Sequence, residues 1–195
     1  MTKQTSARER VLAAYVDLLI SDGPQAATLD AVAASAGVSK GGLLYHFKSK
    51  EALVEGLLAQ LREYAEQDFA AMDIDPEGCA SYYVRTSVFG GTVFDRCIVA
   101  AQRLIQSDED SVQQAFVDLH ARWFELILRD IGDPAVARAI MLLGDGLYYN
   151  AALFGFPAGV KNFPSGVQKQ DHGQENVDLD SLLSIVAKMR SDARS

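Results

Sequence analysis

Residues 27–53 read ATLDAVAASAGVSKGGLLYHFKSKEAL, and this stretch decides the fold. Thr28 is a hydroxyl residue set before an apolar-periodic run, and Asp30 follows in the first turn, where a carboxylate favours the helix dipole. The short helix that starts there ends at Gly37, because glycine takes the left-handed cap without strain. Ser39 opens the next helix almost at once and carries it to about Tyr45 or Phe47. Two short helices joined by a three- to four-residue turn with a glycine, here Ala36-Gly37-Val38, make a helix-turn-helix. Ser49 then caps a further helix, with Glu51 in its first turn.

Upstream, Val11, Leu12, Tyr15, Leu18 and Leu19 recur at helical spacing over residues 6–20. Ser21-Asp22-Gly23-Pro24 stops that helix. Downstream, Leu53, Leu57 and Leu61 step by four along a long helix that breaks at Asp73 to Pro76. The remainder also reads as helix. Val112, Phe116, Leu119, Trp123 and Leu126 alternate steps of four and three, the pattern of a helix packed along a partner. An apolar stretch covers 136–154, and Leu179, Leu182, Leu183, Val186 and Met189 share a face of the last helix. Residues 157–177 hold two prolines and three glycines and are expected to form a long mobile loop. No segment alternates as a strand does. The chain is predicted to be all-α with about nine helices. A three-helix helix-turn-helix domain spans 6–66, and a larger helical ligand-binding and dimerisation domain spans 67–195.

Charge divides the same way. The net charge is −8, yet residues 1–50 carry six Lys/Arg against four Asp/Glu, while residues 51–195 carry twelve against twenty-two. An acidic body turns a polyanion away from every face but one. The two cysteines, Cys79 and Cys97, form neither a C-x-x-C pair nor a cluster with histidine, so no disulfide framework, metal site or cofactor is expected. The opening MTKQTSARER lacks the apolar core of a signal peptide, and the 139–156 run is interrupted by Asp145, Asn150 and glycines. A cytoplasmic protein without a membrane span is expected. His46, His120 and His172 are the only histidines, and no nucleophile or metal spacing accompanies them, so an enzyme is not expected.

The second helix of a helix-turn-helix enters the major groove with its N-terminal residues toward the bases. Lys40 opens that helix and can donate to the two acceptors of guanine. Gly41 and Gly42 follow, and glycine inside a helix costs about 1 kcal/mol relative to alanine. Close approach to a duplex accounts for the pair; so does close packing on a neighbouring helix. Tyr45 and His46 can reach phosphates or bases, or form a partly buried pair. Lys50 opposes the dipole of its own helix unless a phosphate lies between it and the open backbone N–H groups.

The run from Arg8 to Leu61 resembles the DNA-binding region of TetR-type regulators, with the most specific part from Gly37 through Phe47 to Lys50. The resemblance implies phosphate contacts from Thr28, Tyr45 and Lys50, and base or groove contacts from Ser39, Lys40, Gly41 and His46. Leu44 stands where the family often has tyrosine. The resemblance also implies a homodimer on a palindromic double-stranded operator, released by a small-molecule effector. The helices at 136–154 and 178–189 would pair with the partner's copies. Aromatic candidates for the effector pocket are Phe89, Phe94, Trp123, Tyr148 and Phe154. Asp145 is the only Asp, Glu, Lys or Arg between Arg138 and Lys161. It has three readings: a partner for an arginine, an acceptor for a backbone group, or the counter-charge of a cationic ligand. His120 reads as a satisfied helix-face histidine. The alternative is a dimeric small-molecule-binding helical protein or an enzyme that does not bind an operator.

Overall fold

A computed structural model describes residues 6–105, 110–154 and 177–193, with side chains to residue 150 and again from 179. The loop expected at 157–177 and the side chain of Phe154 fall outside the described residues. Among them are nine helices: α1 Ala7–Ser21, α2 Leu29–Ser35, α3 Lys40–His46, α4 Lys50–Asp73, α5 Cys79–Thr86, α6 Val93–Ile105, α7 Asp110–Ile131, α8 Pro134–Phe154 and α9 Val177–Ala193. None of the described helices is long and apolar enough to cross a membrane.

The chain forms two compact units. The first holds residues up to Ala65 together with Gly91–Asp118. Its α1 starts on a capping box: Ser6 Oγ accepts from Glu9 N at 3.2 Å, and the Glu9 carboxylate accepts from Ser6 N at 2.7 Å. Val11, Tyr15 and Leu19 of α1 are fully buried with Val32, Leu43, Leu53 and Leu57. The turn between α2 and α3 closes as the cap residues predict. Gly37 has φ +64°, its N–H donates to Ala34 O at 3.2 Å, and Val38 N donates to Ala33 O at 3.0 Å. That pair of bonds is a Schellman motif, and it needs a residue without a Cβ at the left-handed position. Phe47 ends α3 in extended conformation and turns its ring inward, beneath Gly56 of α4. A Cβ on Gly56 would lie 2.7 Å from Phe47 Cε1 and 3.0 Å from Leu12 Cδ2. The start of α4 therefore sits directly on the helix-turn-helix core. Segment Gly91–Asp118 belongs to this unit because α6 packs along α1, with an Arg96–Asp17 ion pair. A single cut after residue 66 does not foresee that long-range packing.

The second unit holds Glu66–Gly90 and the chain from Leu119 onward. Here α5 packs on α8 and α9. Asp133 caps α8, accepting from Ala135 N at 2.7 Å and Val136 N at 3.1 Å. The cap of α5 comes from far away in sequence. Gly78 occupies its N-cap with φ +91° and has no side chain to offer. Asp130 of α7 supplies the acceptor instead, taking Ala80 N at 3.1 Å. Arg190 of α9 completes the clip: one nitrogen meets Asp130 at 2.6 Å and another donates to Glu77 O at 2.7 Å.

Candidate nucleic-acid interface and effector site

In the first unit, α3 shows its outer side to solvent; Leu43 is its only buried residue. Ser39 Oγ accepts from Gly42 N at 3.0 Å, and Thr28 Oγ1 accepts from Ala31 N at 3.2 Å. Both hydroxyls are caps, and each keeps its O–H free to donate outward. Lys40 is exposed, and its ammonium lies 2.9 and 3.0 Å from the two carboxylate oxygens of Asp30 on α2. Sequence reading places Asp30 only as a first-turn acid; its pairing across the motif is a tertiary contact.

The two glycines of α3 differ. A Cβ on Gly42 would meet Ser39 Oγ at 3.3 Å, so its own cap crowds it. A Cβ on Gly41 would meet nothing within 4 Å. Packing inside the protein therefore does not explain Gly41. Tyr45 is 81% exposed and stands edge-on to His46 at 5.1 Å, so the reading of the two as a partly buried pair does not hold. Lys50 carries a correction of its own. Its ammonium donates to Pro24 O at 2.7 Å, so the loop after α1, as well as any phosphate, gives the cation a reason to sit there. An ammonium has three N–H donors, and this bond uses one.

Of the six aromatic and acidic candidates, five have described side chains; in the second unit Phe89 meets Tyr148, while Trp123 and Asp145 share Tyr83 and His120 as neighbours. Phe89 stacks edge-on to Tyr148 at 6.3 Å. Trp123 lies 5.9 Å from Tyr83, 5.6 Å from Phe69 and 5.6 Å from His120. Asp145 accepts from Tyr83 Oη at 2.7 Å and faces His120 Nε2 at 3.6 Å. It meets no arginine among the described residues. Phe94, the fifth candidate, belongs to the first unit and packs against Tyr64 at 6.3 Å. The structure adds three residues that periodicity could not single out: Tyr83, Tyr82 and Asp68. Asp68 accepts from both Trp123 Nε1 at 2.9 Å and Tyr82 Oη at 3.0 Å. A cleft lined by Glu77, Ser81, Leu183, Ser184, Ala187 and Arg190 lies between α5 and α9, and none of the five candidates borders it.

The phenols respond to these carboxylates. Burial first, then the charge of Asp68, pushes Tyr82 up to about 12. Burial and Asp145 push Tyr83 higher still. An unfolded phenol ionises near 10. The folded state thus favours the protonated phenol; this stabilisation is complete below pH 10 and is lost as the pH rises toward 12. Spectrophotometric titration should find Tyr82 and Tyr83 among the tyrosines that ionise late, and Tyr82→Phe should remove one of these late transitions.

An apolar seam remains uncovered on α8. Ala135, Ala139, Leu142 and Tyr149 are exposed, Gly146 is half-buried, and the five are spaced by four, three, four and three residues. Leu142 is 63% exposed and Tyr149 51%, while Ile185 on α9 is 50% exposed.

Residues 11–57 match the family described as "Bacterial regulatory proteins, tetR family". Over 74 residues the chain is 32% identical to the HTH-type transcriptional regulator SrpR of Pseudomonas putida, an alignment covering 35% of each chain. It is 32% identical over 74 residues to the HTH-type transcriptional regulator TtgW, also from Pseudomonas putida, covering 35% of this chain and 55% of TtgW. The match thus spans about a third of one relative and about half of the other. Among solved structures, a transcriptional regulator from Rhodococcus sp. Rha1 superposes with a TM-score of 0.66 at 18% identity, covering 94% of this chain and 97% of that one. The multidrug binding protein EbrR complexed with malachite green gives 0.64 at 17% identity, covering 93% and 96%. Salmonella enterica GusR gives 0.62 at 16%, covering 96% and 98%. At these identities the likeness is one of fold.

Proposed function

We propose that the chain, whose residues 11–57 match the tetR family of bacterial regulatory proteins, is a cytoplasmic transcriptional regulator of that family, not an enzyme, that holds a palindromic operator as a homodimer and releases it when a small molecule binds. The DNA-reading part is 6–66, and effector binding and self-association belong to 67–195. The observation that carries the reading is the open face of α3. Lys40, Gly41, Tyr45 and His46 are all exposed on one short helix, and no protein atom lies near the position a Gly41 side chain would take. A helix bare of side chain at that point can approach base edges closely, with Lys40 beside it as donor. Ser39 and His46 face the groove with them, while Thr28, Tyr45 and the free N–H groups of Lys50 serve the phosphates, which set register rather than sequence.

Self-association is supported by the 4-3-4-3 seam on α8, joined by Ile185 of α9. Such spacing meets a second helix side by side, and a two-fold operator calls for two reading heads about 34 Å apart. The effector step is supported by the aromatic and acidic pairs of the second unit and by EbrR, which has the same fold and was solved with malachite green bound. A ligand releases DNA only by as much as it prefers the non-binding state.

The test is selection of bound duplexes from a random pool, followed by fluorescence anisotropy on the selected sequence over a range of salt concentrations. A palindrome bound by a dimer, with affinity falling steeply in salt, is the expected result. Sequence-blind or absent binding refutes it and favours the small-molecule-binding alternative. Two variants sharpen the assay. Tyr45→Ala should weaken operator binding at an unchanged melting temperature, since its ring is almost free of the fold. Asp30→Asn should release Lys40 and remove a carboxylate from the DNA face. Binding to random duplex should then strengthen and its salt slope steepen by about one charge per subunit, so the ratio of specific to non-specific affinity drops.

A further inference from the structure

We propose that Asp30 reads the operator together with Lys40. Their ion pair is laid on the major-groove edge of one G·C base pair in each half-site, with Lys40 on guanine and Asp30 on the amino group of the paired cytosine. The proposal rests on the operator-binding reading above and adds to it a second base-reading residue, on α2. The first observation is spacing. Lys40 Nζ lies 2.9 Å from Asp30 Oδ1 and 3.0 Å from Oδ2. On a G·C pair, guanine O6 accepts from cytosine N4, so acceptor and donor stand one hydrogen bond apart, about 2.9 Å. The ammonium and the carboxylate repeat that spacing with donor and acceptor exchanged. Wherever Lys40 meets a guanine, the Asp30 carboxylate is therefore within reach of its partner base.

The second observation is spare capacity. The side chains of Lys40 and Asp30 are 56% and 71% exposed. An ammonium has three N–H donors and a carboxylate about four acceptor sites, so the pair leaves at least one donor and two acceptor sites open. An exposed pair also adds little to stability, so it can turn toward a duplex at small cost. The third is charge. Asp30 is the only Asp or Glu between Asp22 and Glu51. A carboxylate on a face that meets phosphates is repelled by them, and a base contact offsets that cost. The dipole of α2 accounts for an acid in its first turn but not for one that grips Lys40 across the motif. Cytosine N4 is the base donor suited to a carboxylate. An A·T pair fits less well. Thymine O4 gives the ammonium one acceptor where guanine N7 and O6 give two, and the thymine methyl stands beside it.

The full-length protein is tested by fluorescence anisotropy on the operator selected from the random pool. Each half-site should hold one G·C pair whose change to A·T weakens binding roughly tenfold, and Lys40→Ala should remove that preference. The cytosine of this pair is then replaced by 2-pyrimidinone, which pairs with guanine but lacks the 4-amino group. The parent should lose at least roughly fivefold in affinity, and Asp30→Ala less than about twofold. The analogue perturbs the duplex equally for both proteins, so the difference between them isolates the amino contact. Asp30→Ala should also accept A·T at this position and keep its preferences elsewhere in the half-site, which the loss of a purely structural acid would not produce. Equal losses for parent and variant overturn the proposal, as does an operator in which no G·C position responds to Asp30→Ala. Should that variant fail to fold, the parent decides alone: the analogue must cost more at this cytosine than at one outside the half-sites. A parent without sequence-selective binding refutes the regulator reading and this proposal with it. A selective parent whose base preferences survive Asp30→Ala refutes this proposal only.

Discussion

Leucine in place of Gly41 should weaken operator binding severely and leave the protein at least as stable as before. The two halves of that outcome have separate causes. In the free protein a Cβ at 41 would meet no atom within 4 Å, so a side chain there starts into open space. Leucine is also the better helix former, by nearly 1 kcal/mol, so the thermal midpoint should hold or rise slightly. Against a duplex the same side chain would wedge α3 away from the bases and pull Lys40 out of reach of guanine. A good base contact is worth about 1–3 kcal/mol, and a dimer loses it in both half-sites, so affinity should drop by roughly two orders of magnitude or more. Circular dichroism melting and anisotropy on one protein sample check both halves. A variant that still binds tightly would mean that α3 does not lie in a groove at all.

The second large effect is thermodynamic. Asp130→Ala should lower the stability of the second unit by about 3–5 kcal/mol, the usual cost of stranding the partner of a buried ion pair. Asp130 is only 6% exposed and serves two clients at once, the Ala80 N–H and the Arg190 guanidinium. Its loss uncaps α5 and removes the partner that fixes Arg190 of α9. For a chain of this length the thermal midpoint should shift by roughly 10 °C. Gly78→Ala attacks the same clip from the other side. Its Cβ would lie 2.6 Å from both Asp130 Oδ2 and Arg190 Nη1, at a φ that alanine rarely adopts. Because the two changes break one network, the double variant should lose less than the sum. A sum that is fully additive would show the two residues to be independent.

The parts of this molecule that could be read in advance are those governed by neighbours in sequence. Thr28, Ser39 and Gly37 act through bonds that reach three to five residues, so their types alone announced the turn and the start of α3. Helix spacing announced α4, α7 and α8 for the same reason. What escaped was set by partners far along the chain. Nothing near Lys40 or Lys50 indicates that Asp30 and the Pro24 carbonyl hold them. Nothing around Asp145 points to Tyr83, more than sixty residues earlier. Phe89 and Phe94 are close in sequence and equally aromatic, yet they fall in different units, because the break between α5 and α6 redirects the chain. The missing cap of α5 was invisible for a further reason: its acceptor sits on α7.

Phe47 and Leu12 lie so close beneath Gly56 that no side chain fits between them and α4. The grip leaves the first turns of α4 no freedom to tilt against α1 and α3, and the bond from Lys50 to Pro24 ties down the neighbouring loop as well. Pitch and heading of α3 are therefore welded to the axis of α4. Any adjustment the protein makes to suit one duplex over another must be made by turning the whole head.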